Sequence, residues 1–150
     1  MTIQKLMHKI IDNPYFNLSA RLLVGLMFIS AGLPKILDPK HFVSEIFNYQ
    51  IIPDLLLNPT AIIIPWIEVV SGIMLIAGVK VKANSAIIGS LLFIFIIMVS
   101  SAILRGLEIN CGCFGKEKEV IVNWGKVLEN TGLLILMVST YFSKNKKFRL

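Results

Sequence analysis

Two cysteines, Cys111 and Cys113, stand one glycine apart in the stretch LEINCGCFGKEKE, residues 107–119, and they are the chain's only thiols. Two thiols at this spacing can pair with each other, pair with the cysteines of a second protein, or contribute to a soft-metal site. A disulfide across a single residue closes a very small ring, in which the preferred S–S dihedral and Cα separation are hard to satisfy together. Such strain raises the reduction potential, so the pair would pass its disulfide readily to a substrate thiol. Gly112 suits the ring, because a residue held so tightly can need backbone angles open only to glycine. Arg105, Lys116 and Lys118 lie within a few residues and favour a thiolate, while Glu108, Glu117 and Glu119 partly offset that field. A metal site needs more ligands than two thiolates. The chain offers only His8 and His41, and the nearest methionine in sequence, Met98, falls inside a hydrophobic run, so no metal is expected. The segment is too polar for a pair of inert thiols buried in lipid. A redox role for the pair stands beside pairing with a partner protein's cysteines.

The elements that must position these thiols are apolar. Of the 150 residues, 55% are hydrophobic and 16% charged, against roughly 25% charged in ordinary globular proteins. The mean hydropathy is +0.75. Four apolar runs, residues 18–37, 60–79, 84–104 and 120–142, are each long enough for the roughly 20 helical residues that cross a hydrocarbon core of about 30 Å. Continuous runs of this length exclude barrel strands, and in lipid only helices or closed barrels satisfy the backbone. The fold class is therefore all-α: an integral membrane four-helix bundle, one domain over residues 1–150. Residues 1–17 lack the apolar core and cleavage site of a signal peptide. Instead Met1, Ile3, Leu6, Met7, Ile10 and Ile11 recur at helical spacing with Lys5, His8 and Lys9 between them, the pattern of an amphipathic helix lying on a membrane surface.

Four spans put both termini on one side, together with the turn between the second and third. That side carries Lys5, Lys9, Lys80, Lys82, Lys144, Lys146, Lys147 and Arg149, and the basic tail is residues 143–150; the other side carries Lys40, Arg105, Lys116 and Lys118. The imbalance predicts cytoplasmic termini. It also accounts for the net charge of +6 without nucleic acid, for which no basic–aromatic interleaving is present. The cysteines then face outward from a bacterial inner membrane, into a compartment where disulfides persist.

Ionisable groups at membrane depth are costly and usually functional or paired. Glu68 is the ninth residue of the second run and Glu129 lies about as far into the fourth, so both carboxyls sit about 13 Å below the outer boundary. At matched depth they could share a proton, bind a quinone head group or meet a cation. Lys126, one turn before Glu129, can simply pair with it. Asn123, Lys126 and Asn130 give the fourth helix a polar stripe that must face the bundle or a water-filled cavity. Arg21 and Lys35, near the two ends of the first run, are each able to snorkel to an interface. Gly25, Gly32, Gly72 and Gly78 permit close helix packing. In the first outer loop Asp38 and Pro39 read as a helix start. Phe42, Ile46 and Phe47 then form one face before Pro53, giving a short interfacial helix across the outer mouth that could roof a site made with the cysteine loop.

The segment ARLLVGLMFISAGLPKILDPKHF resembles the opening helix of DoxX-like membrane proteins, and IPWIEVVSGIMLIAGV is similar to their second helix. CGCFG followed by NWGKVLENTGLLIL resembles the MauE branch of that family, and the likeness runs over residues 18–142. The resemblance implies a four-helix bundle like those of vitamin K epoxide reductase and DsbB. It further implies a link to disulfide formation in exported proteins, with quinone-linked chemistry in DoxX relatives. Carried over, it points to Cys111 and Cys113, with Glu68 as helper. Enzymes of the DsbB kind use two cysteine pairs, whereas this chain has one, which must do both jobs or borrow the second.

The sequence thus predicts a membrane thiol–disulfide oxidoreductase or a maturation subunit acting with one. Electrons would pass from an exported thiol protein through Cys111 and Cys113, with Gly112 and Arg105 in support, to a membrane quinone. Glu68, Glu129 and Lys126 would relay protons, with Asn130 beside them. One rival is a non-catalytic membrane subunit that holds a periplasmic redox partner. Another is a small transporter or lipid-site protein using Glu68 and Glu129.

Overall fold

A computed structural model describes residues 2–111, 120–144, 147 and 149–150. Among these residues the chain forms six α-helices: α1 (Ile3–Ile11), α2 (Pro14–Leu37), α3 (Pro39–Asn48), α4 (Asp54–Ala77), α5 (Val81–Leu104) and α6 (Trp124–Phe142). Helices α2, α4 and α5 are long and apolar enough to cross a membrane. They leave large apolar side chains such as Leu26, Ile63, Trp66, Phe93 and Ile97 exposed along their length. An apolar surface this extensive belongs in lipid, and the protein is a membrane protein. The fourth apolar run becomes α6, which carries Lys126 and Glu129 and is not among those three.

Helix boundaries follow local chemistry. Pro14 starts α2 four residues before the expected run, with Asn13 as its N-cap accepting from the Tyr15 N–H at 3.0 Å. Helix α4 begins at Asp54 and not at residue 60, and takes Pro59 and Pro65 into its interior, where the carbonyls one turn earlier lose their helical partners. Helix α6 begins only at Trp124, because Asn123 caps it by accepting from the Lys126 N–H at 3.0 Å. The residues just before are extended: Asn110 and Ile121 form an antiparallel bridge, and the Cys111 N–H donates to the Val120 carbonyl at 2.7 Å.

The long helices pack as two intimate pairs, α2 with α4 and α5 with α6. A Cβ placed on Gly25 would lie 2.9 Å from the Gly72 carbonyl, and one on Gly32 would lie 2.7 Å from a Val69 methyl. Bare backbone thus lets α2 and α4 touch. Gly78 does something else than the packing expected of it: at φ 81° it ends α4 in the left-handed conformation. The core between the pairs is Val24, Phe28, Leu75, Ile88, Leu92 and Met137.

Two ends of the bundle differ in chemistry. At one end the C-terminal segment, α1 and the α4–α5 turn meet: the Leu150 N–H donates to the Gly78 carbonyl at 2.9 Å and the Lys144 N–H to Asp12 at 3.1 Å. Arg21 does not snorkel there. It is 2% exposed, and its Nε and Nη2 donate to the Leu75 and Ile76 carbonyls at 2.9 and 3.2 Å, supplying positive charge to the C-terminal end of α4. At the other end α3 lies over the bundle, with residues 107–111 and 120–122 packed beside Tyr49.

Candidate functional site

Helix α3 starts as the Asp38–Pro39 pattern predicts, with the Asp38 carboxylate accepting from the His41 N–H at 3.1 Å. Its inward face, however, is not Phe42, Ile46 and Phe47. Phe42 and Ile46 pack on Leu57 and Ala61 of α4, but Phe47 is 54% exposed, since it lies about 100° round the helix from Ile46. Glu45 and Tyr49 are also buried on the inward side, with the half-buried His41 one turn before Glu45, so that the three are spaced i, i+4 and i+8.

Beneath α3 the bundle forms a partly open cavity of about 200 Å³. Its walls are apolar, with Phe28, Leu92, Phe95 and Met98 among them, and its polar lining includes Lys35, Glu45, Glu68, Lys126, Glu129 and Asn130. Cys111 and Tyr49 also line it. The candidates Glu68, Lys126, Glu129, Asn130 and Cys111, spread between residues 68 and 130, therefore share one space.

Each carboxylate in the expected depth-matched pair has its own cation. Lys35 Nζ donates to both carboxylate oxygens of Glu68 at 3.0 and 2.9 Å, and the two side chains are 8% and 13% exposed. Lys35 thus turns inward and is not a snorkelling lysine. It also sits 4.9 Å from the centroid of the Phe42 ring. Lys126 pairs with Glu129 at 2.8 Å, as their one-turn spacing predicts. The Asn130 amide donates to the Lys126 carbonyl at 2.7 Å. Two ion pairs from different helix pairs leave the cavity close to neutral while filling it with hydrogen-bond donors.

Cys111 enters from the roof. It is 2% exposed, packed with Tyr49, Val99, Ala102 and Val122. The Tyr49 hydroxyl donates to the Cys111 carbonyl at 3.0 Å, tying α3 to the cysteine segment. Burial, and next the charge of Glu45, push the Tyr49 hydroxyl well above the ordinary tyrosine range, which keeps it a donor. Arg105 has a structural role as well: its Nη2 donates to the Tyr49 carbonyl and its Nε to the Ser101 carbonyl at 3.3 Å. It braces the C-terminal end of α3 against α5. Gly112, Cys113, Lys116 and Lys118 lie outside the described residues.

Three residues that sequence reasoning passed over belong to the site. Lys35 is the partner of Glu68, Tyr49 the tether of Cys111, and Glu45 a buried carboxyl in the cavity, 6% exposed. The i, i+4, i+8 stripe of His41, Glu45 and Tyr49, interrupting an otherwise apolar face, was the signal for the last two.

The chain matches the model of the family "Methylamine utilisation protein MauE" over residues 13–143. It is 28% identical over 120 residues to the methylamine utilization protein MauE of Paracoccus denitrificans, covering 79% of this chain and 64% of that protein. To the protein of the same name from Methylorubrum extorquens it is 27% identical over 127 residues, covering 84% and 68%. For that of Paracoccus versutus the figures are 27% over 128 residues, covering 85% and 69%. The chain spans about two thirds of the length of these relatives. No solved structure matches it. With the match running from the start of α2 to the end of α6, through every helix that lines the cavity, the chain belongs to the MauE family.

Proposed function

We propose that the protein is a membrane thiol–disulfide oxidoreductase, alone or as a maturation subunit, and that it serves methylamine utilisation as the names of its relatives suggest. The observation that carries the reading is the shared cavity: Cys111, Lys35–Glu68 and Lys126–Glu129 line one space under α3. In this reading Cys111 and Cys113 form the exchangeable disulfide. A substrate thiolate attacks one of the two sulfurs, their S–S bond breaks, and the leaving sulfur takes a proton. The second substrate thiolate then attacks the substrate sulfur of the mixed disulfide. The substrate leaves with a disulfide, and Cys111 and Cys113 are left as two thiols carrying its two electrons.

A membrane quinone fits the cavity by its chemistry, with apolar walls for a ring and the ammonium groups of Lys35 and Lys126 and the Asn130 amide as donors to carbonyl oxygens. Bound there, it would supply the two-electron acceptor that the reduced pair requires. The Lys35–Glu68 pair keeps its buried charge balanced, and the more exposed Lys126–Glu129 pair holds the second donor in place. Tyr49 fixes the backbone at Cys111.

The membrane arrangement is part of the same proposal. Helix α6 is the fourth span, its Lys126 and Glu129 mutually neutralised and lining the cavity. Both termini are cytoplasmic and the cysteines lie at the outer face of the inner membrane. The meeting of α1, the C-terminal segment and the α4–α5 turn at one end supports it. The test is the double variant Cys111→Ser/Cys113→Ser in membranes. It should retain its helical content and lose oxidation of an exported dithiol protein. Persistent oxidation would refute the mechanism and favour a scaffold that holds a redox partner.

A further inference from the structure

Glu45 takes no part in the two ion pairs, yet it lines the same cavity. Its Oε1 lies 3.5 Å from His41 Nδ1, and its Oε2 is buried with no hydrogen-bond partner among the described residues. A carboxylate so placed is costly unless it binds a proton. His41, one turn back on α3, has a side chain 30% exposed. The pair therefore runs from the surface to the cavity along one face of a short helix. The other charged groups facing that space are Lys35 of α2, Glu68 of α4, and Lys126 and Glu129 of α6, and all four are held in ion pairs.

We propose that His41 and Glu45 form a proton-exchange path between the outer surface and the cavity. The inference rests on the redox reading of the cavity and deepens it. Re-forming the Cys111–Cys113 disulfide releases the two protons that those thiols took up from the substrate, and reducing a quinone-class acceptor in the cavity consumes two protons with the two electrons. The path returns those protons inward, so charge and protons balance. Lys35 and Lys126, locked to their carboxylates, are poor carriers for this task. Glu45 is suited to it: burial raises its proton affinity while the neighbouring charges of His41 and then Lys35 pull it down.

The test is infrared spectroscopy of the full chain in phosphatidylcholine vesicles, following the protonated-carboxyl band and its exchange in heavy water. The band should be present in the wild type and in Glu45→Asp, and absent in Glu45→Gln. Its exchange in His41→Gln should slow by about 10²-fold, the lower range of what a positioned acid–base group contributes. Quinone-coupled turnover of Glu45→Gln should fall with it, while the potential of the cysteine pair stays unchanged. A band that survives in Glu45→Gln, or exchange in His41→Gln as fast as wild type, would overturn the path. If the wild type oxidises no thiols at all, the redox reading fails alone, and the exchange measurement still decides the path.

Discussion

Lys35 and Glu68 show how a membrane protein tolerates a deep charge: both carboxylate oxygens are occupied by one ammonium, and both side chains are nearly sealed. Removing one partner leaves the other buried and unpaired, whereas removing both restores an apolar contact. Lys35→Met should therefore cost about 3 kcal/mol of stability, and Lys35→Met/Glu68→Leu should recover most of it, as thermal unfolding in detergent will read. The same scale governs the roof. Tyr49→Phe deletes the bond to the Cys111 carbonyl, worth about 1 kcal/mol, and should speed labelling of Cys111 in the reduced protein. The raised proton affinity of Tyr49 makes its contribution fully present below pH of about 10 and lost as pH rises past the folded value. The labelling difference between wild type and Tyr49→Phe should hold through the neutral range and close only in strong alkali. Glu68, Glu129 and Lys126 were legible from sequence, because charges in apolar runs stand out. The Lys35–Glu68 bond was not: a lysine near a helix end can snorkel or turn inward, and only the closeness of α2 and α4 decides.

That closeness is a property of the helices. Gly25 and Gly72 bring backbone against backbone, so a methyl group on Gly25 meets Ile76 at 2.5 Å and the Gly72 carbonyl at 2.9 Å. Gly25→Leu and Gly72→Leu should each force α2 and α4 apart, weaken the Lys35–Glu68 pair, and lower the melting temperature. On α6, a Cβ at Gly132 meets nothing within 4 Å. Gly132→Ala should be neutral or stabilising by up to about 1 kcal/mol, the helix preference of alanine over glycine. Circular dichroism melts of the three variants separate packing glycines from incidental ones. The packing role of Gly25, Gly32 and Gly72 was readable from their places in α2 and α4. Gly78 was misread because a glycine ending a helix and one inside an interface look alike until the helix end is known. The start of α4 was hidden because the expected run was counted from residue 60, whereas the helix reaches back through Pro59 to Asp54.

Across the whole molecule, two helix pairs, α2 with α4 and α5 with α6, meet around one cavity, and α3 closes it near Cys111. The hydrophobic runs and a helix across the bundle mouth were legible, because lipid demands length and apolarity and Asp38–Pro39 marks a helix start. The cavity was not, since it arises from the fit of helices whose contacts no single run encodes. The central claim is that Cys111 and Cys113 are an exchangeable redox couple served by that cavity. It is tested most directly by trapping the two cysteines in intact membranes with a membrane-impermeant, mass-shifting thiol reagent across a series of redox buffers, with and without added quinone. The account predicts a reversible two-thiol couple, labelled from outside, with a potential above the roughly −300 mV below which structural disulfides lie, and shifted toward the oxidised form by quinone. Thiols that ignore both the buffer and the quinone, or that react only when the reagent is admitted to the cytoplasmic side, would contradict it.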